Sequence, residues 1–117
     1  MKEIPLYGSV YKLILSMEGF IKNFPKDLKP TYGDSLRNTG IELLKYVCLA
    51  QNFPQDRVIY LNHALSYLET YKIMVRLCHD LRCLNDSQTS EIDLGILDID
   101  KQINGWINKT TENFFIY

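Results

Sequence analysis

Apolar residues recur along this chain at steps of three and four, in four blocks separated by three short breaks. In the first block Val10, Leu13, Met17, Phe20 and Phe24 form a stripe that Ile14 and Ile21 widen. The pattern predicts a helix over about 7–24. It ends at Phe24-Pro25, because a residue before proline is pushed out of the helical region. Lys26-Asp27-Leu28-Lys29-Pro30 is the first connector. The second block, about 32–51, carries Leu36, Gly40, Leu43, Val47 and Ala50 on one side. Thr31, with Asp34 three residues on, is a loose capping box at its start. Gly40 costs roughly 1 kcal/mol against alanine in a helix interior, so it is expected where another helix comes close.

Asn52-Phe53-Pro54 is the second break. Asn52 can cap, and Pro54 is tolerated in a first helical turn. The third helix is predicted over about 54–84, roughly 30 residues and about 45 Å long, with no internal Gly or Pro. Asn85-Asp86-Ser87 is the third break. The fourth helix, about 88–109, carries Ile92, Ile96, Ile99, Ile103 and Trp106 on one stripe. The tail from Asn113 to Tyr117 is too apolar for a plain solvated end; it either packs on a neighbour or frays. No useful length alternates strictly between apolar and polar, so no strand competes. Short loops make neighbouring helices run antiparallel. The expected fold is therefore all-α: a single domain, 1–117, built as an up-down-up-down four-helix bundle.

The third block also carries a heptad seam. Tyr60, Ala64, Tyr67, Tyr71, Met74, Cys78 and Leu81 recur at strict steps of four and three. A second row, Leu61, Leu65, Leu68 and Val75, lies beside it. Together they are wider than one bundle core needs. Either the long helix touches two neighbours inside its own bundle, or the surplus face, rich in tyrosine, buries against another subunit. In the second case Tyr60, Tyr67, Tyr71 and Met74 are the candidate interface.

Composition narrows the partners. The chain has a net charge of -1, with 46% hydrophobic and 23% charged residues, and a nucleic-acid binder is usually basic. The charge is uneven: residues 1–85 hold 11 Lys/Arg against 8 Asp/Glu, and residues 86–117 hold 2 against 6. Three cysteines without paired spacing suit a reducing cytoplasm better than a disulfide framework. The amino-terminal stretch is not read as a signal peptide, since Lys12 and Glu18 interrupt its apolar run. No uncharged run approaches a membrane span. Asn108-Lys109-Thr110 fits a glycosylation sequon, which has no meaning in a cytosolic chain.

The stretch RLCHDLRCL, residues 76–84, raises the question of chemistry. On a continuous helix Cys78 and Cys83 stand about 140° apart and cannot share an ion. His79 and Cys83, at i and i+4, can meet, but two ligands do not close a structural zinc site. A Cys83–His79 nucleophile pair lacks an orienting group, because Asp80 is one step from His79 and points about 100° away. No paired-carboxylate, phosphate-loop or zinc-protease pattern occurs, and Glu91, Asp93, Asp98 and Asp100 read as a solvated face. The chain is accordingly not expected to be an enzyme or to carry a cofactor or metal. Lys72, Arg76 and His79 lie within about 60° of one another. That row is either surface salt bridging, with Arg76 and Asp80 placed for one pair, or a phosphate-contacting patch.

The chain also resembles a family of small bacterial four-helix-bundle proteins. One branch is encoded by intervening sequences inside large-subunit (23S) ribosomal RNA genes. Another is the accessory variability determinant of diversity-generating retroelements. The resemblance covers roughly residues 20–109. It rests on Phe24-Pro25, Gly33 and Arg37, Arg76-Leu77 with Asp80-Leu81, and Gly105-Trp106, in that order. It implies a homo-oligomer, a pentameric barrel of bundles. In the retroelement branch it further implies a strongly basic protein that binds nucleic acid and associates with a reverse transcriptase. This chain departs in charge, being slightly acidic.

Two functions follow as expectations. One is a cytoplasmic, homo-oligomeric accessory protein that binds RNA or a nucleic-acid enzyme through Arg37, Lys45, Lys72, Arg76 and Arg82. The other is an oligomeric scaffold whose partners are proteins only. Neither involves a membrane. Trp106, one step from Gly105, is expected to anchor the end of the last helix on a neighbouring backbone.

Overall fold

Proline opens the first helix. Its missing N–H falls where a helix start has no acceptor for it, so Pro5 stands at the first position of α1 (Pro5–Ile21). The computed structural model describes residues 4–115, which hold four α-helices and no strand. α1 stops at Ile21, and Phe24 folds back into the core after it. A π-helical turn, Lys29–Gly33, replaces the expected loop and runs straight into α2 (Asp34–Asn52). The capping box expected at Thr31 does not form. The Thr31 hydroxyl instead donates to the Leu28 carbonyl at 3.1 Å, and no side chain caps α2. After a short 3₁₀ turn, Pro54–Asp56, come α3 (Arg57–Asp80) and α4 (Asp86–Phe115).

α4, with 30 residues, is longer than α3, with 24, which reverses the expected order. It begins two residues early because Asn85 and Gln88 cap each other: the Gln88 N–H donates to Asn85 Oδ1 at 2.8 Å, and the Asn85 N–H donates to Gln88 Oε1 at 3.0 Å. It runs past the expected end at 109 to Phe115. The expected packing or fraying concerns the tail from Asn113 to Tyr117; Asn113 is exposed, and the side chains of residues 114–117 lie outside the described residues.

α3 ends four residues early, at a turn. Arg82 takes a left-handed conformation, φ 64°. Its N–H donates to the His79 carbonyl at 2.9 Å, and the Cys83 N–H reaches back to the Cys78 carbonyl at 2.8 Å. These two bonds make a Schellman cap, which leaves the residue after the left-handed one lying over the residue five before it. The divergence expected of Cys78 and Cys83 is thereby overturned, and each thiol bears on the other's pKa.

The helices contact in cyclic order, α1 to α2, α2 to α3, α3 to α4, and α4 back to α1. Along the first seam Gly33 meets Ile21, Arg37 meets Glu18 and Gly40 meets Ile14. Along the second Thr39 meets Met74, and Tyr46 meets Tyr67 and His63. Along the fourth Leu13 lies by Gly95, and Ser9 bonds Asp98 and Gln102. A methyl group on Gly40 would stand 3.2 Å from Ile14 and 3.6 Å from Tyr71, so this glycine does mark the expected close approach. The core is apolar throughout, and among the described residues no polar or charged residue is buried. The molecule measures 54 × 22 × 21 Å.

Candidate functional site

The tyrosine seam is used inside the chain. Tyr71 is only 1% exposed and sits in the bundle's own core, so it has no surface to offer a second copy; its place among the candidate interface residues is corrected. Tyr60, Tyr67 and Met74 are half-buried against the core. The rings of Tyr60 and Tyr67 flank Tyr46 of α2 at 6.2 and 5.5 Å, and Met74 accepts a hydrogen bond from Thr39. The broad stripe of α3 therefore packs on two neighbours within the bundle.

Exposed apolar side chains lie elsewhere, among them Leu94, 68% exposed at the α1/α4 seam, and Ile59 of α3. On the α3/α4 side Ile73 is 66% exposed and Leu97 50%. On the α1/α2 side Leu15 is 58% exposed, Ile41 57% and Tyr11 49%. Tyr11 and Leu15 are one turn apart, and Ile41 is one turn beyond Arg37, so they share the strip that the Arg37–Glu18 contact runs along. In the cyclic order of helices, the α1/α2 and α3/α4 seams are on opposite sides.

Between α3 and α4 runs a groove of about 720 Å³. Leu68 and Ile96 form its floor, with Ile73 and Leu97 at the rim. Lys72, Arg76 and His79 line the α3 wall, and Asp93 and Asp100 line the α4 wall. The row predicted on one helix face is thus brought together, but it looks across at carboxylates. Lys72 and Arg76 make no ion pair among the described residues, so the expected Arg76–Asp80 pair is absent. His79 is engaged. Its Nε2–H donates to Asp86 Oδ1 at 2.6 Å, tying the end of α3 to the start of α4. That bond, more than the nearby Asp80, holds the imidazole above its ordinary pKa.

The other three predicted cations are placed differently. Arg82 lines a shallow pocket at the groove's end, which shares His79 and Asp80 with it. Arg37 is committed: Nε and Nη2 grip both oxygens of Glu18 at 2.8–3.1 Å, and Nη1 holds Asp34 at 2.9 Å. Chiefly through that bond, Arg37 holds the Glu18 carboxyl below its ordinary value, while Arg37 itself is pushed up. Lys45 bonds Glu42 at 2.8 Å and lies 5.0 Å over the Tyr46 ring. Its pKa is raised, mainly by the Glu42 bond. The five cations therefore do not make one surface.

Two arrangements had no place in the sequence reading. Arg57 donates to the Ala50 and Gln51 carbonyls at 2.8 and 3.3 Å, closing the end of α2, and its guanidinium lies 4.9 Å from the Trp106 ring. The Trp106 anchor is thus a cation on α3, itself bonded to the backbone of α2. The reciprocal Asn85–Gln88 cap was legible as Asn with Gln three residues on. Burial pushes the Cys78 thiol up to about 11 and raises Cys48 and Cys83 as well, which lowers their reactivity as nucleophiles. Among the described residues no three His, Cys, Asp or Glu side chains converge as a metal site, and no helix is long and apolar enough to cross a membrane. A scan against models of known protein families and a search of curated proteins both found no match to the chain.

Proposed function

We propose that this chain is a non-enzymatic, self-assembling accessory protein. Each copy is an up-down-up-down antiparallel bundle, and the α1/α2 face of one copy packs on the α3/α4 face of the next. The observation that carries this reading is the pair of exposed apolar faces on opposite sides of one bundle, Leu15 and Ile41 on one and Ile73 and Leu97 on the other. A single patch pairs with itself and stops at a dimer. Two unlike patches on opposite sides join head to tail and close into a ring when the rotation allows. The resemblance to the intervening-sequence and retroelement-accessory family supplies the expected number, five. Light scattering across a dilution series tests the assembly. The expected mass is a fixed multiple of 13.7 kDa, and 13.7 kDa at every concentration overturns it.

The groove lies on the α3/α4 face that the next copy covers, and it suits a protein surface such as that copy rather than a phosphate backbone. A polyphosphate drawn to Lys72 and Arg76 would be pressed against Asp93 and Asp100, whereas a mixed-charge protein surface satisfies both walls. Binding to RNA, or to a nucleic-acid enzyme such as a reverse transcriptase, is the second reading, in which that ligand and not a second copy takes the α3/α4 groove. It is favoured by Lys72, Arg76 and Arg82, which hold no ion pair among the described residues. On that reading, affinity for single-stranded RNA falls linearly in log K against log salt, with a slope of about -0.7 per phosphate neutralised. The Arg76→Glu variant then shows a shallower slope. No binding at low salt removes this reading and leaves the protein-only scaffold. Three thiol cysteines fit a reducing, cytoplasmic setting for either.

A further inference from the structure

We propose that Cys78 and Cys83 are a redox modification site, a thiol pair that closes to an intrachain disulfide by exchange with a small oxidised thiol such as oxidised glutathione. The proposal is independent of the assembly described above. It rests on the cap of α3. The Cys83 N–H donates to the Cys78 carbonyl at 2.8 Å and the Leu84 N–H reaches the same oxygen at 3.3 Å, with Arg82 turned left-handed between them. A side-chain contact between the first and last residues commonly accompanies a cap of this form, and here the two thiols perturb one another's ionisation. A disulfide needs α-carbons about 4.4–6.8 Å apart and β-carbons facing, and the backbone bond from the Cys83 N–H to the Cys78 carbonyl draws these two residues together at the end of α3.

The two thiols differ in access, as a stepwise exchange requires. Cys83 is half-buried and Cys78 is completely buried. The Cys83 thiolate attacks one sulfur of oxidised glutathione, forming a mixed disulfide and releasing one glutathione thiolate. The Cys78 thiol, already beside it, loses its proton to solvent. Its thiolate then attacks the Cys83 sulfur and releases the second glutathione. Overall two protein thiols are oxidised to one disulfide, one glutathione disulfide is reduced to two thiols, and the protons balance. Burial and the neighbouring Asp27 carboxylate both raise the Cys83 pKa, so the first step is slow at neutral pH and the assay is run at about pH 8.5.

The test uses the whole chain. It is equilibrated with excess oxidised glutathione, the free thiols are blocked by alkylation, and the intact protein and its peptides are weighed. The expected product is lighter by two hydrogen atoms, is alkylated at Cys48 alone, and regains two alkylation sites after reduction. Cys48→Ser gives the same bridge. Cys78→Ala stops at a glutathione adduct on Cys83. Wild-type protein that accumulates that adduct, that keeps both thiols open to alkylation, or that links two chains through these residues overturns the proposal. The wild-type result decides the matter even if a variant does not fold.

Discussion

Ile73→Glu and Ile41→Glu each yield a folded monomer, and mixing the two variants restores a dimer and nothing larger. Both side chains are more than half exposed on helices, and glutamate is a good helix former, so each fold is expected within about 0.5 kcal/mol of the wild type. Association is another matter. Packing a second copy on either face would bury the new carboxylate without a partner. At a cost of about 4 kcal/mol or more this weakens the contact at least about a thousandfold. In a head-to-tail assembly every contact uses one α1/α2 face and one α3/α4 face, so either variant alone has no sound contact. The mixture has one, between the intact α1/α2 face of the Ile73→Glu copy and the intact α3/α4 face of the Ile41→Glu copy. Light scattering reads all three states. If Ile41→Glu keeps the wild-type mass, the α3/α4 face pairs with itself and the ring reading fails. If mixing restores nothing, the two faces are not each other's partners.

The stripes that build the core were legible because burial of a helix face is a periodic property of the sequence. Val10, Leu13 and Met17, then Leu36, Leu43 and Val47, then Ile92, Ile96 and Ile99 are all buried. Gly40 was legible because it falls on the apolar stripe itself, where a neighbouring helix packs, whereas Gly105, also inside a helix, has nothing within 4 Å. The end of α3 was not. The left-handed position of its cap is held by Arg82, where glycine is the usual residue and would have signalled the stop. From that one misplaced end came the mistaken separation of Cys78 and Cys83.

The grouping of Lys72, Arg76 and His79 was legible, because a row on one helix needs no tertiary information. What faces the row was not: Asp93 and Asp100 lie on another helix, and only the docking of α4 on α3 brings them opposite. Arg37 illustrates the same limit. Its neighbour Asp34 is local, but Glu18, which takes most of its donors, is 19 residues away. The tyrosine seam was legible as a contact surface but its cover was not, because a heptad leaves open whether that is the same chain or a second subunit; the structure puts Tyr71 in the chain's own core and Tyr46 against Tyr67.

Tyr71 tests that reassignment. Tyr71→Ala is expected to destabilise the single chain by about 3–5 kcal/mol, the cost of removing a buried aromatic ring and leaving a cavity. For a domain whose total stability is about 5–15 kcal/mol, that moves the denaturant midpoint by a large fraction of its value. The loss appears in a concentration-independent unfolding curve, because the ring packs beside Gly40 in its own bundle rather than on another copy. Tyr71→Phe keeps the ring and stays close to the wild type at pH 7. The two part company in alkali. Burial pushes the Tyr71 hydroxyl well above its ordinary value, so the unfolded chain releases this proton near pH 10 while the folded chain still holds it. The folded pKa is raised, so the stability is complete below about pH 10 and declines as pH rises beyond it. The phenylalanine variant has no such proton to lose and is expected to outlast the wild type above that point. A Tyr71→Ala protein that unfolds at the wild-type midpoint once diluted, or a phenylalanine variant that is no more resistant to alkali, would place the ring outside the core and return it to the surface between copies.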